Sequence, residues 1–277
     1  MVNGVTVCIG IHRKVRKHME ERFYTAVQQV LDQVCQVILG KEEEVTEIMA
    51  AFLANGHVLL EDIPGVGKTT MAVAFSKAMQ LGYRRVQFTP DVLPSDLTGF
   101  SLYRREEEKF VYQPGSVFCN LLLADEINRT SPKTQSALLE VMEERKVTVD
   151  GITRDVPNPF LVIATQNPSG AAGTQRLPEA QTDRFMISLR LGYPDYESEL
   201  EVAKGIGPED KYSKIKPLLN GDDLVAMQDQ VCRTYIKDSV YDYILQLVRA
   251  TREHRDIERG ASPRATIALV RMARAWA

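Results

Sequence analysis

The stretch HVLLEDIPGVGKTT, His57 to Thr70, carries the residue types of a loop that wraps a phosphate chain. In such a loop successive backbone N–H groups face the phosphates, and the positive end of the following helix dipole adds to them. Lys68 would reach the β- and γ-phosphates of a nucleoside triphosphate, and the Thr69 hydroxyl would ligate Mg2+. Gly65 and Gly67 permit a curvature that side chains would block. The strict pattern G-x-x-x-x-G-K-[ST] is broken at its first position, where Asp62 stands. Asp tolerates turn conformations and can bond its own backbone, so it can replace glycine there. The alternative is an ordinary glycine-rich turn between a strand and a helix.

Two more polar groups follow apolar runs. NLLLADEINRT ends a buried run in Asp125-Glu126. A carboxylate at the tip of a neighbouring parallel strand is where a phosphate-loop enzyme holds its metal, and Glu126 could polarise water for in-line attack on the γ-phosphorus. FLVIATQNPSG ends in Thr165-Gln166-Asn167-Pro168, where the Asn167 amide could orient that water or touch the γ-phosphate. A plain solvated strand end and a turn-forming Asn-Pro are the competing readings. No N-K-x-D motif for reading guanine is found.

These groups need a frame. Short apolar runs at His57–Leu60, Arg85–Phe88, Leu121–Ala124, Phe160–Ala164 and Phe185–Leu191 read as five strands, and LLLA and FLVIA as strands buried on both faces of a parallel sheet. Helices are predicted at Thr69–Met79 and Pro132–Glu144, the second opened by Ser131 as N-cap, and helical spacing over Arg22–Ala54 is broken at Gly40. The expected fold is α/β, a three-layer sandwich with crossover helices. After Gly192-Tyr193-Pro194 only helical patterns remain, at Glu197–Lys204, Asp222–Cys232, Asp238–Arg252 and Ser262–Trp276. The predicted divisions are a mobile leader over 1–21, an α/β core over 22–193 and a helical domain over 194–277.

Length and composition agree with one large or two modest globular units: 277 residues, 44% hydrophobic and 26% charged. A net charge of −3, from 34 basic and 37 acidic side chains, counts against a nucleic-acid binder with a broad basic surface. No apolar run is long enough to span a bilayer, and the N-terminal order of apolar before basic residues reverses that of a secretory signal. The four cysteines are widely spaced and read as reduced thiols; Cys8 with His12 and His18 lacks a fourth metal ligand. The expected location is cytoplasmic.

Taken in order, VILGKEEEV, GHVLLEDIPGVGKTT, QFTPDVLPSDLTG, NLLLADEINRTSPKTQSALLEVMEER, FLVIATQNP, LPEAQTDRFM and GASPRATIALVRMARA resemble the AAA+ ATPases of the MoxR family, from about Val34 to the C-terminus. The resemblance implies a P-loop fold with a five-stranded parallel sheet and a small helical lid. It makes Pro64, Gly65, Val66, Gly67, Lys68, Thr69 and Thr70 the Walker A loop, with Val37, Ile38 and Gly40 beside the adenine. Asp125 and Glu126 become the Walker B pair, with Thr69 and Asp125 on the metal, and Asn167 becomes sensor 1. Arg184 resembles the arginine finger that completes a neighbour's site, and Arg264 resembles sensor 2. TPDVLPSDLTG to about Val117 would hold the helix-2 insert and VTVDGITRDVPNP a hairpin, both on the pore face of a ring. Arg264 also stands in the first turn of its helix, at the positive dipole end, where a cation is disfavoured unless an anion is near.

The implied function is a Mg2+-dependent ATPase that forms a homo-oligomeric ring, expected as a hexamer. It would act as a chaperone on partners carrying a von Willebrand factor A domain, in metal insertion or complex maturation. A nucleotide-dependent binding module with little hydrolysis and a nucleic-acid motor are the alternatives. Arg176 stands where the family prefers proline or a small residue, and the sequence stops at Ala277, so the lid reads as truncated.

Overall fold

A computed structural model describes residues 21–61, 67–167, 176–194, 196–204 and 212–277. Residues 1–20, with Cys8, His12 and His18, lie outside them, as do Asp62, Pro64, Gly65 and Val66. The chain begins with helix α1 (residues 21–35), then α2 (Glu42–Leu53), β1 (Val58–Glu61), α3 (Lys68–Ala78) and β2 (Tyr83–Gln87). Next come α4 (Pro94–Thr98), β3 (Phe100–Arg104), β4 (Lys109–Gln113), β5 (Leu121–Asp125) and α5 (Pro132–Glu144). They are followed by β6 (Lys146–Val149), β7 (Ile152–Asp155), β8 (Leu161–Gln166), α6 (Glu179–Thr182) and β9 (Ile187–Leu189). The rest is helical: α7 (Tyr196–Ala203), α8 (Gly221–Cys232), α9 (Asp238–Glu253) and α10 (Pro263–Trp276).

Strands β2-β5-β8-β1-β9 form one sheet in that order, every pair parallel. The expected parallel, doubly covered sheet is present. Successive side chains alternate between two cores. Val58, Leu60, Leu121, Leu123, Leu161 and Ile163 pack with α1, α2 and α3, while Leu59, Leu122, Ala124, Val162 and Ala164 pack with α5. Both sets are fully buried, and each such aliphatic side chain contributes about 1.5–3 kcal/mol. Phe52 and Phe75 meet edge to face at 5.3 Å, tying α2 to α3.

Element ends follow the local chemistry. The Ser131 hydroxyl accepts the Thr134 N–H and Pro132 takes the first helical position, so α5 has its predicted bounds. Ser262 caps α10 in the same way, accepting from Ala265 N at 3.0 Å. The edge strands depart most from expectation. β2 begins at Tyr83 rather than Arg85 and exposes Arg84, Arg85 and Gln87, because it is an edge strand with one neighbour. β9 is cut from the expected Phe185–Leu191 to three residues, the length that pairs with Val58–Leu60. Two antiparallel hairpins, β3–β4 and β6–β7, stand outside the sheet; the second is the predicted hairpin, while strands in the helix-2 insert were not foreseen. Helix α8 sends Leu224 and Met227 into the core against α2, and the Gln228 amide donates to Phe52 O at 2.8 Å.

Candidate functional site

Strands β1, β8 and β5 end side by side, Glu61 level with Gln166 and Ala124 level with Ala164. At this edge Gly67 caps α3 with φ +90°, a conformation that glycine adopts without penalty. A Cβ there would meet nothing nearer than Ile38 Cδ1 at 4.0 Å, so backbone conformation, and not crowding, calls for glycine. Lys68, Thr69 and Thr70 form the half-buried first turn of α3. Val37 and Ile38 are buried in the turn between α1 and α2, and Gly40 closes that turn at φ +66°. Ile38 is thus the side chain that a Cβ at Gly67 would meet, which sets this segment near the end of the candidate phosphate loop.

Asp125 ends β5, and Glu126 turns away from it at φ 56°, ψ 48°, a left-handed conformation uncommon for Glu. Buried Thr165 links the two. Its hydroxyl donates to Asp125 Oδ1 at 2.7 Å and accepts the Glu126 N–H at 2.8 Å. Each acid also meets a cation: Arg85 Nη2 lies 2.6 Å from Asp125 Oδ2, and Arg129 Nη1 lies 2.6 Å from Glu126 Oε2. The Gln87 amide donates to the same Glu126 oxygen at 2.9 Å. Asn167 follows β8, and its carbonyl accepts from the Asn128 amide at 3.4 Å. Asn128 Oδ1 is buried with no hydrogen-bond partner among the described residues. Beside it the Gln166 amide donates to Glu61 Oε1 at 2.8 Å, fixing the tips of β8 and β1 to each other.

Arg184 and Arg264 stand elsewhere. Met186 N donates to His57 O at 2.8 Å, so residues 183–184 lie where β1 begins. A strand of this length spans roughly 13 Å. Helix α5 runs back from the acids to the same edge and brings Glu143 there. Arg264 Nη2 lies 2.5 Å from Glu143 Oε1, and Arg184 Nε lies 3.6 Å from Glu143 Oε2. Asp183, the residue before Arg184, accepts from the Ser262 hydroxyl at 2.6 Å and faces Arg264 Nη1 at 3.8 Å. The structure therefore brings together Lys68, Thr69, Asp125, Glu126 and Asn167 at one edge, and Arg184 and Arg264 at the other. Both arginines line a cleft between that second edge and helices α9 and α10, with Arg145 and Arg271.

Asp125 and the Thr69 hydroxyl are hard oxygen donors of the kind that Mg2+ takes, with its other ligands coming from phosphate and water. Among the described residues no cluster of three His, Cys, Asp or Glu side chains could hold a metal alone. The donor set thus fits a triphosphate-bound Mg2+ better than a dedicated metal centre. Burial pushes the Cys35 thiol up to about 11 and the Cys119 thiol up to about 12, which makes both poor nucleophiles at neutral pH.

Residues 57–187 match the family described as ATPase family associated with various cellular activities (AAA), and residues 249–277 match an AAA lid domain. An uncharacterised protein of Bacillus subtilis, YeaC, is 46% identical over 258 residues, covering 93% of this chain and 81% of YeaC. Chaperone MoxR1 of Mycobacterium tuberculosis is 39% identical, covering 91% of this chain and 68% of the relative. A crystal structure of a candidate ATPase from Cytophaga hutchinsonii superposes with a TM-score of 0.88 at 38% identity, over 96% of this chain and 83% of that one.

Proposed function

Because the chain belongs to the AAA+ ATPases of the MoxR family, we propose that it binds Mg2+–ATP at the edge where β1, β8 and β5 end and hydrolyses it within a ring of identical protomers. The observation that carries this reading is the meeting, at three adjacent strand ends, of the Gly67-Lys68-Thr69 turn, the Asp125-Glu126 pair and Asn167, with Thr165 bonded to both acids. The group that would bind there supplies a γ-phosphoryl centre open to in-line attack and a divalent cation that neutralises its charge. Lys68 and the α3 N-terminus hold the phosphates. Thr69 and Asp125 take the metal side, Glu126 Oε accepts the proton of the attacking water, and the Asn167 amide orients that water. Val37, Ile38 and Gly40 flank the base, and Pro64, Gly65 and Val66 complete the loop.

In a lone protomer Glu126 is held by Arg129 and Gln87, and Arg184 and Arg264 stand beside Glu143 at the opposite edge of the sheet. On this reading both arginines serve the next protomer's site, Arg184 as a finger and Arg264 beside it. The ring is proposed as a hexamer in the cytoplasm, with the helical region from residue 194 as its lid. Its proposed partners are von Willebrand factor A domain proteins, remodelled during metal insertion or complex maturation, in line with the name of the mycobacterial relative as a chaperone. Among the described residues no helix is long and apolar enough to cross a membrane.

Glu126→Gln tests the assignment. It should leave ATP binding within about twofold of wild type while lowering turnover about 100-fold or more, the low end for a lost base. The arginine pairing of both acids favours a second reading, a nucleotide-gated binding module with negligible hydrolysis. On that reading wild type and Glu126→Gln have the same background turnover.

A further inference from the structure

Glu143 has no assigned role, yet it contacts both arginines at the far edge. It lies in the last turn of α5, where the negative end of the helix dipole disfavours an acid. Arg264 lies in the first turn of α10, where the positive end disfavours a cation. Each charge is misplaced on its own helix, and their meeting at 2.5 Å offsets both. Stability alone does not account for the arrangement, since the two side chains are each 43% exposed and ion pairs of that kind contribute little. Arg184 Nε is a buried atom without a hydrogen-bond partner among the described residues, and Glu143 is the acid that faces it. A second tie runs alongside. The N-cap hydroxyl of α10, Ser262, donates to Asp183, the residue before Arg184.

We infer that Glu143 is a positioning residue for hydrolysis: it holds Arg184 and Arg264 together, so that the two like charges enter the neighbouring protomer's phosphate site as one unit. The inference rests on the proposed role of that edge as the arginine donor. Without the Glu143 carboxylate the guanidinium groups repel each other, and Arg264, at the positive end of its own helix, keeps only the looser Asp183 contact at 3.8 Å. The protomer's own phosphate loop, at the other end of the sheet, is untouched by the change.

The test uses the full chain with steady-state ATPase and nucleotide-binding measurements. Glu143→Gln should lower kcat about tenfold or more, as misplaced catalytic groups do. ATP affinity, measured below the assembly concentration, and the thermal midpoint should stay at wild-type values, and Glu143→Asp should recover part of the rate. Mixing supplies the readout that a structural role would not move. Lys68→Ala protomers lack a working phosphate loop but keep their arginine edge, so mixing them with Glu143→Gln should raise turnover above the sum of the two alone. Arg184→Ala mixed with Lys68→Ala is the reference. If that reference mixture recovers and the Glu143→Gln mixture does not, or if Glu143→Gln turns over like wild type, the role of Glu143 is overturned. If the reference mixture also fails to recover, the arginine-donating edge falls, and this inference with it.

Discussion

His57 is a neutral base locked at the start of β1. Its Nδ1 accepts the Val162 N–H and its Nε2–H donates to Met142 O, both at 3.1 Å, which fixes one tautomer. Burial first, and then the nearby Arg145 charge, push its pKa down to about 3. The folded value lies below the ordinary 6.5, so on acidification the unfolded chain binds the proton first. The contribution of His57 to stability is therefore complete above about pH 6.5 and is lost as pH falls from there towards 3, at about 1.4 kcal/mol per unit. Urea unfolding at pH 7 and pH 5 should show wild type losing about 2 kcal/mol more over that interval than His57→Gln. Equal losses would mean that the imidazole is not held neutral. The partners of His57 are 85 and 105 positions away, so its role is invisible in a linear reading. Lys68, Thr69, Asp125 and Glu126 were legible because each sits in a short motif between an apolar run and a helix. Thr165, Gln87 and Arg85 were not, since they act across strand neighbours that only the order β2-β5-β8-β1-β9 creates.

A stacked pair joins the two hairpins, Arg154 of β7 lying 3.8 Å over the Tyr112 ring of β4. Hairpin β6–β7 was expected from the family resemblance, and its turn residues Asp150 and Gly151 both take positive φ, as a tight two-residue hairpin turn requires. Hairpin β3–β4 was not. It keeps Phe100, Leu102, Tyr103 and Phe110 exposed, on both faces, so it lacks the alternation that marks a half-buried strand. Its root depends on Gly99, at φ +89°, where a Cβ would collide with the Gln113 carbonyl and the Tyr112 ring. Gly99→Ala should cost about 1–3 kcal/mol locally and speed tryptic cutting in the 104–109 turn several-fold, with the sheet unaffected. An unchanged cutting rate would show that the root tolerates a side chain.

On the proposed function, a protomer with its phosphate-binding edge at one end of the sheet and its arginines at the other would join its copies head to tail, a heterologous contact that can close into a ring. Turnover per protomer should then rise steeply with protein concentration across the assembly range, and a flat response would argue against shared sites. The motif around Arg184 announced half of this arrangement. The other half rests on Glu143 and Arg264, which are 121 positions apart and are joined only when α5 and α10 converge. An object that gives at its back and receives at its front is an arrow, and arrows laid nose to tail in an open arc always leave one tip bare and one nock unused. On that proposal every break in the circle idles one active centre, whatever the number of members, and a single protomer with a blunted back silences the centre of the protomer behind it and no other.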